Sequence, residues 1–235
     1  MRYYRANVAV TTKADRTPVT VADVEAEQTI RGILLERFPD YGFYGEETGT
    51  EGADKAALWL VDPIDGTRSF VREYPFFSTQ IALQVDGELV VGVSSAPAFA
   101  ELAWASAGGG AYLNDQRLAV STIDAWRDAA LSTGNLASMT GTPRWQALGE
   151  LIGQVARNRG YGDFYHYHLL AAGKIDAIVE ADLNILDIAA LTVIVREAGG
   201  HVTDLDGGPI DLNTRSLLAA NPSLFDDLLA RFRAR

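Results

Sequence analysis

The sequence contains no cysteine, which excludes disulfide bonds, zinc–thiolate sites and thiol nucleophiles. It is also poor in basic residues, because 20 Lys and Arg stand against 31 Asp and Glu, for a net charge of -11. Such a chain repels the phosphates of nucleic acids, and no cluster of Lys or Arg breaks this pattern. Nucleic acid is therefore not expected as a partner, and a phosphate substrate would need a metal ion to offset the acidic surface.

Long apolar runs are missing as well. No segment approaches the length of a membrane span, and the N-terminal residues show no apolar core of a signal peptide. No membrane partner is expected, and a cytoplasmic enzyme is the default expectation. The 235 residues, 48% of them hydrophobic, are enough for one large domain or two small ones with a substantial core.

The pattern of apolar and turn residues predicts layered sheets and helices. In the first half we expect a helix from Thr20 to Phe38, strands over 41–44 and 58–61, and a hairpin that turns at Asp86-Gly87. The second half alternates, with helices expected over 143–157, 164–172, 187–198 and 224–232 and strands over 176–180 and 217–220. We predict a single domain over 1–235, with possible subdomains over 1–120 (metal and phosphate site) and 121–235 (substrate side).

The hexapeptide DPIDGT, residues 62–67, carries the strongest functional signal. Asp62 and Asp65 lie three residues apart across a rigid proline, after a short apolar strand. Carboxylates suit Mg²⁺, and free amides at the start of a helix bind phosphate. If a helix begins near Thr67, the hexapeptide offers a metal site and a phosphate site side by side. The alternative is an acidic turn that only caps a helix.

Two other acidic positions give weaker signals on their own. Glu46 and Glu47 follow an apolar strand, as Asp62 does, so both strands are expected to deliver acids to one sheet edge. Adjacent acids are also typical of a solvated loop. Asp187 opens an apolar helix, where the helix dipole favours a carboxylate, so capping alone also explains it.

Taken together, these motifs resemble the inositol monophosphatase superfamily, which includes bacterial histidinol-phosphatases. The first family motif is matched by GEE at 45–47 and WLVDPIDGT at 59–67, and the second by DIAA at 187–190 with EAGG at 197–200. The similarity runs from about Lys13 to the C-terminus. Leu186 departs from the family, which usually has Trp there, but this removes no ligand. The resemblance implies an α/β (α+β) fold, a layered αβαβα sandwich, and a phosphoric monoester hydrolase that forms a homodimer.

The resemblance also implies a role for each matching residue. Two or three Mg²⁺ would be held by the side chains of Glu46, Asp62, Asp65 and Asp187 and by the carbonyl of Ile64. Gly66 and Thr67 would grip the phosphate. Thr67 and Asp23 would form a hydrogen-bonded pair that orients the attacking water, with Glu47 close by.

The substrate is less well defined by the sequence. The segment RGYGDF at 159–164 resembles histidinol-phosphatases more than inositol phosphatases, and so do KAD at 13–15 and TPVT at 17–20. Arg159, Asp163 and Glu180 are therefore predicted to bind the substrate. Two carboxylates suit the ammonium group of histidinol phosphate, but they would also accept hydrogen bonds from sugar hydroxyls. Asp163 has an alternative explanation as the cap of a helix from Phe164.

Three functions stay open at this point. The first is a histidinol-phosphate phosphatase, which would act in histidine biosynthesis; the second is an inositol-1-phosphate or broad sugar-phosphate phosphatase. The third is a non-catalytic metal- or ligand-binding homologue, which the intact Asp23, Thr67 and four acidic ligands argue against. The three histidines, His166, His168 and His201, are expected to be surface or packing residues.

Overall fold

The computed structural model describes residues 1–6, 10–12 and 18–233, and within them the chain forms fifteen strands and six α-helices. The strands are β1 Val10–Thr12, β2 Pro18–Thr20, β3 Gly42–Gly45, β4 Gly49–Glu51, β5 Ala57–Asp65, β6 Ser78–Val85, β7 Glu88–Ala96, β8 Glu101–Ser106, β9 Gly110–Leu113, β10 Gln116–Arg117, β11 Ala130–Gly134, β12 Arg157–Arg159, β13 Ala177–Ala181, β14 His201–Thr203 and β15 Ser216–Ala220. The helices are α1 Val21–Arg37, α2 Thr67–Val71, α3 Pro143–Ile152, α4 Tyr165–Ala171, α5 Ile185–Glu197 and α6 Pro222–Arg233. The segment 13–15 and Thr17, which the sequence linked to substrate choice, lie outside the described residues.

Thirteen of these strands form two mixed sheets. The first has the order β10-β9-β8-β7-β6-β5-β3-β4, with β3 and β5 parallel and the other neighbours antiparallel. The second has the order β12-β11-β13-β15-β14, in which β11 runs parallel to both β12 and β13. The strands β1 and β2 pair separately as an antiparallel ribbon.

Sheets and helices stack in five layers, in the order αβαβα. Helix α1 covers the first sheet, where Ile30 and Leu34 pack on a core cluster of Phe43, Trp59 and Val61. Helices α4 and α5 lie between the sheets, and α3 and α6 cover the outer face of the second sheet. The predicted α/β fold class is confirmed.

The side chains of β15 alternate between two cores, as expected for a strand with both faces covered. Leu217 and Ala219 belong to the central core with α5, whereas Leu218 and Ala220 belong to the outer core with α6. Helix α5 also packs on β6, β7 and β8 of the first sheet. Because this core joins the two halves of the chain, we propose that residues 1–235 form one domain.

Several predicted boundaries were wrong. The helix expected over 143–157 ends at Ile152, where Gly153 follows, and its last predicted residue, Arg157, instead begins β12 at a sheet edge. The strand expected over 58–61 continues to Asp65 through a bulge, and the helix expected from Asp187 begins two residues earlier at Ile185. Helix α1 and the hairpin at Asp86-Gly87 were predicted correctly. Across the described ranges, no helix is both long and apolar enough to span a membrane.

Candidate active site

Two neighbouring parallel strands bring Glu46 and Asp62 to the same sheet edge. In the register of β3 with β5, Gly45 is opposite Val61, and the amide of Glu46 donates to the carbonyl of Val61 at 3.3 Å. The residues that follow Gly45 and Val61 are the acids Glu46 and Asp62, and both line a cavity of about 340 Å³. This confirms the sequence-based expectation that both strands deliver acids to one edge.

A bulge in β5 places Asp62 and Asp65 together. The pairing with β6 shifts register between these two residues, and the amide of Ile64 donates to Asp62 Oδ1 at 2.9 Å. Bulges re-aim side chains and are common beside active sites. The extra length of β5 is thus what brings the second carboxylate into the cavity that the first already lines.

Asp187 reaches the same cavity from the first turn of α5. Asn184 is the N-cap, and the carboxylate of Asp187 accepts a hydrogen bond from the Asn184 amide at 2.8 Å in a capping box. The capping role suggested by the sequence is therefore real. Asp187 can cap the helix and also belong to an acidic cluster with Asp62 and Asp65, because a carboxylate has further lone pairs after it accepts that one hydrogen bond.

These acids crowd together with little solvent around them. One oxygen from each of Asp62, Asp65 and Asp187 lies within 4.8 Å of the others. Burial raises the pKa of Asp62 and Asp65 well above the usual range, and neighbouring carboxylates raise both further. Burial also raises the pKa of Asp187 to about 7, against the opposing effect of the Asn184 hydrogen bond.

This donor set fits a hard divalent cation. Buried carboxylates that repel one another are costly unless a positive charge compensates them. Within residues 1–6, 10–12 and 18–233, no Lys, Arg or His forms an ion pair with Asp62, Asp65 or Asp187. Oxygen ligands without sulfur or imidazole suit Mg²⁺ and similar ions rather than softer metals.

Thr67 and Asp23 form the pair that the sequence predicted. The hydroxyl of Thr67 lies 3.1 Å from Asp23 Oδ1 and 3.0 Å from the carbonyl of Ile64. Asp23 is buried in the first turn of α1, where its other oxygen accepts from the amide and hydroxyl of Thr20 at 2.7 and 2.6 Å. A fixed carboxylate therefore sets the orientation of a hydroxyl at the cavity wall.

Gly66 makes the turn between the acids and α2. Its φ of 84° is left-handed, and a Cβ there would lie 2.5 Å from the carbonyl oxygen of Phe76. Both facts require glycine. The turn brings Gly66 and Thr67 to the cavity directly beside Asp65.

Glu47 is half-buried next to Glu46, and Glu27 of α1 fixes this loop. The carboxylate of Glu27, which is fully buried, accepts hydrogen bonds from the amides of Glu47 and Thr48, each at 2.8 Å. Glu47 does not itself line the cavity. The loop that carries Glu46 is thus held by a buried charge.

Asp163 and Glu180 line another part of the cavity wall. Burial, and then the charge of Glu180, raise the pKa of Asp163 to about 6. Glu180 Oε2 accepts a hydrogen bond from the hydroxyl of Tyr167 at 2.7 Å, and burial followed by the charge of Glu180 raises the pKa of that tyrosine. The cavity is therefore acidic beyond the predicted metal ligands.

The comparisons with known proteins agree with this site. A model of the inositol monophosphatase family matches residues 1–235. The chain belongs to the inositol monophosphatase family. A histidinol-phosphatase from Mycobacterium tuberculosis is 39% identical over 241 residues, covering 100% of the chain and 92% of that protein. An inositol-1-monophosphatase from Caulobacter vibrioides is 40% identical over 225 residues, covering 92% of the chain and 87% of that protein.

Some solved structures are similar to this chain in both sequence and fold. The extragenic suppressor protein SuhB from Bartonella henselae superposes with a TM-score of 0.90 at 33% identity, covering 99% of this chain and 92% of that chain. An IMPase from Thermotoga maritima gives a TM-score of 0.88 at 32% identity, covering 99% and 90%. The predictions that the chain belongs to this family and that it is a phosphoric monoester hydrolase are thereby confirmed. The family match also covers residues before Lys13, where the sequence comparison had begun.

Not every predicted substrate residue reaches the cavity. Arg159 is exposed on β12 at the edge of the second sheet, and the structure does not place it in the cavity wall. Its guanidinium donates instead to the carbonyl of Asn158 at 2.8 Å. The capping alternative for Asp163 also fails, because no side chain caps α4 at Phe164.

Some residues that the sequence analysis did not predict also line the cavity. They include Asn135, Tyr167 and Asp182. Asn135, Asp182 and the predicted Asp163 all have positive φ, which Asn and Asp tolerate better than other side chains. An Asn or Asp that ends a strand is a sequence signal for such positions, whereas nothing local marks Tyr167.

The histidines are packing or surface residues, as predicted, but two of them also take part in hydrogen-bonded networks. His166 and His168 are fully buried packing residues, but each also belongs to a hydrogen-bonded network with a serine and a glutamate. His201 is exposed beside the ring of Phe225. Leu186, the departure from the family motif, is buried in the central core.

Proposed function

We propose that this protein is a Mg²⁺-dependent phosphatase that hydrolyses histidinol phosphate to histidinol and phosphate. The observation that supports this substrate most is the pair of carboxylates, Asp163 and Glu180, in the wall of the cavity that holds the acidic cluster. Burial and then the charge of Glu180 raise the pKa of Asp163, so a cationic group between the two carboxylates would relieve their repulsion. The ammonium group of histidinol phosphate is such a cation.

The metal ions are part of this proposal. Two or three Mg²⁺ would be held by the carboxylates of Glu46, Asp62, Asp65 and Asp187 and by the carbonyl of Ile64. When bound, the ions supply positive charge and Lewis acidity against a phosphate dianion that otherwise repels nucleophiles. The buried, mutually repelling carboxylates of Asp62, Asp65 and Asp187 support this assignment, because no Lys, Arg or His of the described ranges forms an ion pair with these three acids.

The chain's own groups would orient the reactants. Thr67 donates its hydroxyl hydrogen toward Asp23 or Ile64, so its oxygen keeps lone pairs that accept a hydrogen bond from water. Water held there is oriented toward the phosphorus, and Gly66 with Thr67 would grip the phosphate oxygens. Glu47 would lie near this water as a further acceptor, on a loop that Glu27 holds.

A second candidate function is hydrolysis of inositol-1-phosphate or of sugar phosphates in general. Carboxylates accept hydrogen bonds from hydroxyl groups as well as from ammonium, so Asp163 and Glu180 suit both kinds of leaving group. Both histidinol-phosphatases and inositol-1-monophosphatases stand among the relatives at similar identity. A homodimer and a cytoplasmic location stay predictions from the sequence.

The test is Asp163→Asn, assayed for kcat/KM on histidinol phosphate and on inositol-1-phosphate. A charge-assisted hydrogen bond contributes about 1.5–3 kcal/mol, so we expect a roughly ten- to hundredfold loss on histidinol phosphate alone. The matched control is Asp182→Asn, which has the same backbone conformation and lines the same cavity, but whose carboxylate is engaged by the Ser138 amide at 3.0 Å. Equal losses on both substrates for Asp163→Asn would give this residue a structural role.

The wild-type comparison decides between the two substrates. Turnover of histidinol phosphate that exceeds turnover of inositol-1-phosphate supports the proposal. Negligible turnover of histidinol phosphate beside rapid turnover of the inositol ester would replace it by the second candidate.

A further inference from the structure

Helix α4 carries two buried histidines, and each is the centre of a similar network. His166 lies between Ser132 and Glu180, with Nδ1 3.2 Å from the serine oxygen and Nε2 2.9 Å from Glu180 Oε2. His168 lies between Glu101 and Ser94, at 2.8 and 2.9 Å. Of the two glutamates, Glu180 lines the active-site cavity and Glu101 does not.

The hydrogen bonds of the first network have a definite direction. A carboxylate oxygen accepts, so His166 Nε2 carries the hydrogen that points at Glu180. In the neutral ring, Nδ1 then accepts from the hydroxyl of Ser132. The serine oxygen in turn accepts from the backbone amide of Tyr161 at 3.3 Å. The ring of His166 is therefore held at both nitrogens, and its donor is aimed at Glu180.

Glu180 is restricted from the other side as well. Its Oε2 also accepts from the hydroxyl of Tyr167, so two donors converge on one oxygen. Gly134 lies opposite Glu180 in the pairing of β11 with β13, and a Cβ at Gly134 would lie 2.3 Å from Glu180 Oε1. Because Gly134 has no side chain, there is room for Glu180 Oε1. The side-chain nitrogen of Asn135, Nδ2, lies 3.5 Å from this oxygen.

We propose that His166 is a positioning residue that fixes Glu180 so that its Oε1 faces the leaving group of the substrate and sets selectivity for it. The inference rests on the proposed function, because it takes Glu180 to contact the leaving group. His166 does not touch the substrate in this scheme. It acts by occupying one oxygen of Glu180 and thereby presenting the other.

The expected effect is therefore on selectivity. Without the His166 donor, Glu180 is held at Oε2 by Tyr167 alone and is less firmly oriented, so it binds the donor groups of the leaving group less well, whereas the phosphate end of any monoester is unaffected. The readout is the ratio of kcat/KM for histidinol phosphate to that for p-nitrophenyl phosphate, whose leaving group has no ammonium or hydroxyl donor. A residue with a merely structural role would lower both values together and leave the ratio unchanged.

Two substitutions of His166 distinguish the effect of its Nε2 hydrogen-bond donor from the effect of losing the ring. In His166→Gln the amide nitrogen reaches close to the place of Nε2 and keeps a donor toward Glu180, whereas the shorter His166→Asn does not. We expect the ratio to fall about tenfold in His166→Asn, mainly through KM for histidinol phosphate, and to recover to within about threefold of wild type in His166→Gln. Ser132→Ala removes the support at Nδ1 and should lower the ratio in the same direction, which keeps the test available if His166→Asn fails to fold.

The controls distinguish this inference from the proposed function. His168→Asn breaks the matching network on the same helix and should leave the ratio within about twofold of wild type. Glu180→Gln should lower the ratio on its own. If Glu180→Gln lowers it while His166→Asn and Ser132→Ala do not, the positioning role of His166 is wrong and the proposed function stands. If Glu180→Gln leaves the ratio unchanged, the contact of Glu180 with the leaving group is wrong, and the proposal for His166 fails with it.

Discussion

Thr67 and Asp23 are 44 positions apart in the chain, yet the hydroxyl of Thr67 lies 3.1 Å from the carboxylate of Asp23. Thr20 holds the other oxygen of that carboxylate through the capping box of α1. The start of one helix thus orients a hydroxyl at the start of another, on the wall of the cavity that holds the acidic cluster.

We expect Thr67→Ala to lower kcat by about a hundredfold and to change KM by much less, because a group that orients water acts mainly in the transition state. Thr67→Ser keeps the hydroxyl and is the matched control, which should retain most of the activity. Steady-state kinetics on histidinol phosphate measures both effects. A higher KM with wild-type kcat would instead assign Thr67 to substrate binding alone.

Asp65→Asn is expected to reduce kcat by about a thousandfold or more while the protein stays folded, because the lost charge serves to hold metal. The metal-free variant should melt at a higher temperature than metal-free wild type, since burial and neighbouring acids already disfavour the Asp65 carboxylate. Asp62→Asn should behave in the same way. Asp115→Asn, an exposed position, controls for loss of a charge as such. An active Asp65→Asn enzyme would contradict its assignment as a ligand.

The stability of the metal-free protein should fall as pH rises toward neutrality. The pKa of Asp187 is raised to about 7 in the folded state, so its favourable contribution is complete below the unfolded value of about 4 and is lost as pH rises through about 7. Divalent metal should reverse this trend, because it binds the deprotonated acids.

The measurement is the Tm of EDTA-treated wild type and of Asp187→Asn between about pH 5 and about pH 8. The variant keeps an oxygen that accepts the Asn184 hydrogen bond but has no charge to lose. Its Tm advantage over wild type should therefore grow as pH rises. A constant difference across this range would show that Asp187 does not titrate there.

Glu27→Gln tests the loop that carries Glu46. Glutamine has one accepting oxygen where Glu27 has two, so the amide of Glu47 or of Thr48 loses its partner, at a cost of about 1–3 kcal/mol. We expect a lower Tm and a higher Mg²⁺ concentration for half-maximal activity. Glu25→Gln on the same helix, which alters only exposed contacts of Glu25 with Arg2 and with the hydroxyl of Tyr3, should change both by little. Unchanged metal dependence in Glu27→Gln would separate this loop from the metal site.

The acidic residues of the site could be predicted from their local sequence. Two lie in one short motif, Glu46 follows the end of a strand, and Asp187 lies in the first turn of a helix. Asp62 and Asp65 share a hexapeptide after an apolar strand, and the period of the apolar residues marks where that strand lies. The bulge between them depends on pairing with β6, which no local pattern encodes.

The second sheet was harder to predict for physical reasons. Strand β11 has the sequence ALSTG, with small residues and no alternation, and β12 has the sequence RNR at a sheet edge. Their strand structure comes from pairing with each other and with β13. The network of His166 likewise joins Ser132 and Glu180 from separate strands, so the sequence indicated only a packing residue.

The central claim is that the acidic cluster hydrolyses a phosphate monoester with the help of divalent metal. The most direct measurement is the initial rate of phosphate release from histidinol phosphate by the EDTA-treated protein, before and after Mg²⁺ is added in excess of the chelator. We expect no release in EDTA and full recovery with Mg²⁺, with Asp65→Asn inactive under both conditions. Full activity in the presence of the chelator would contradict the account.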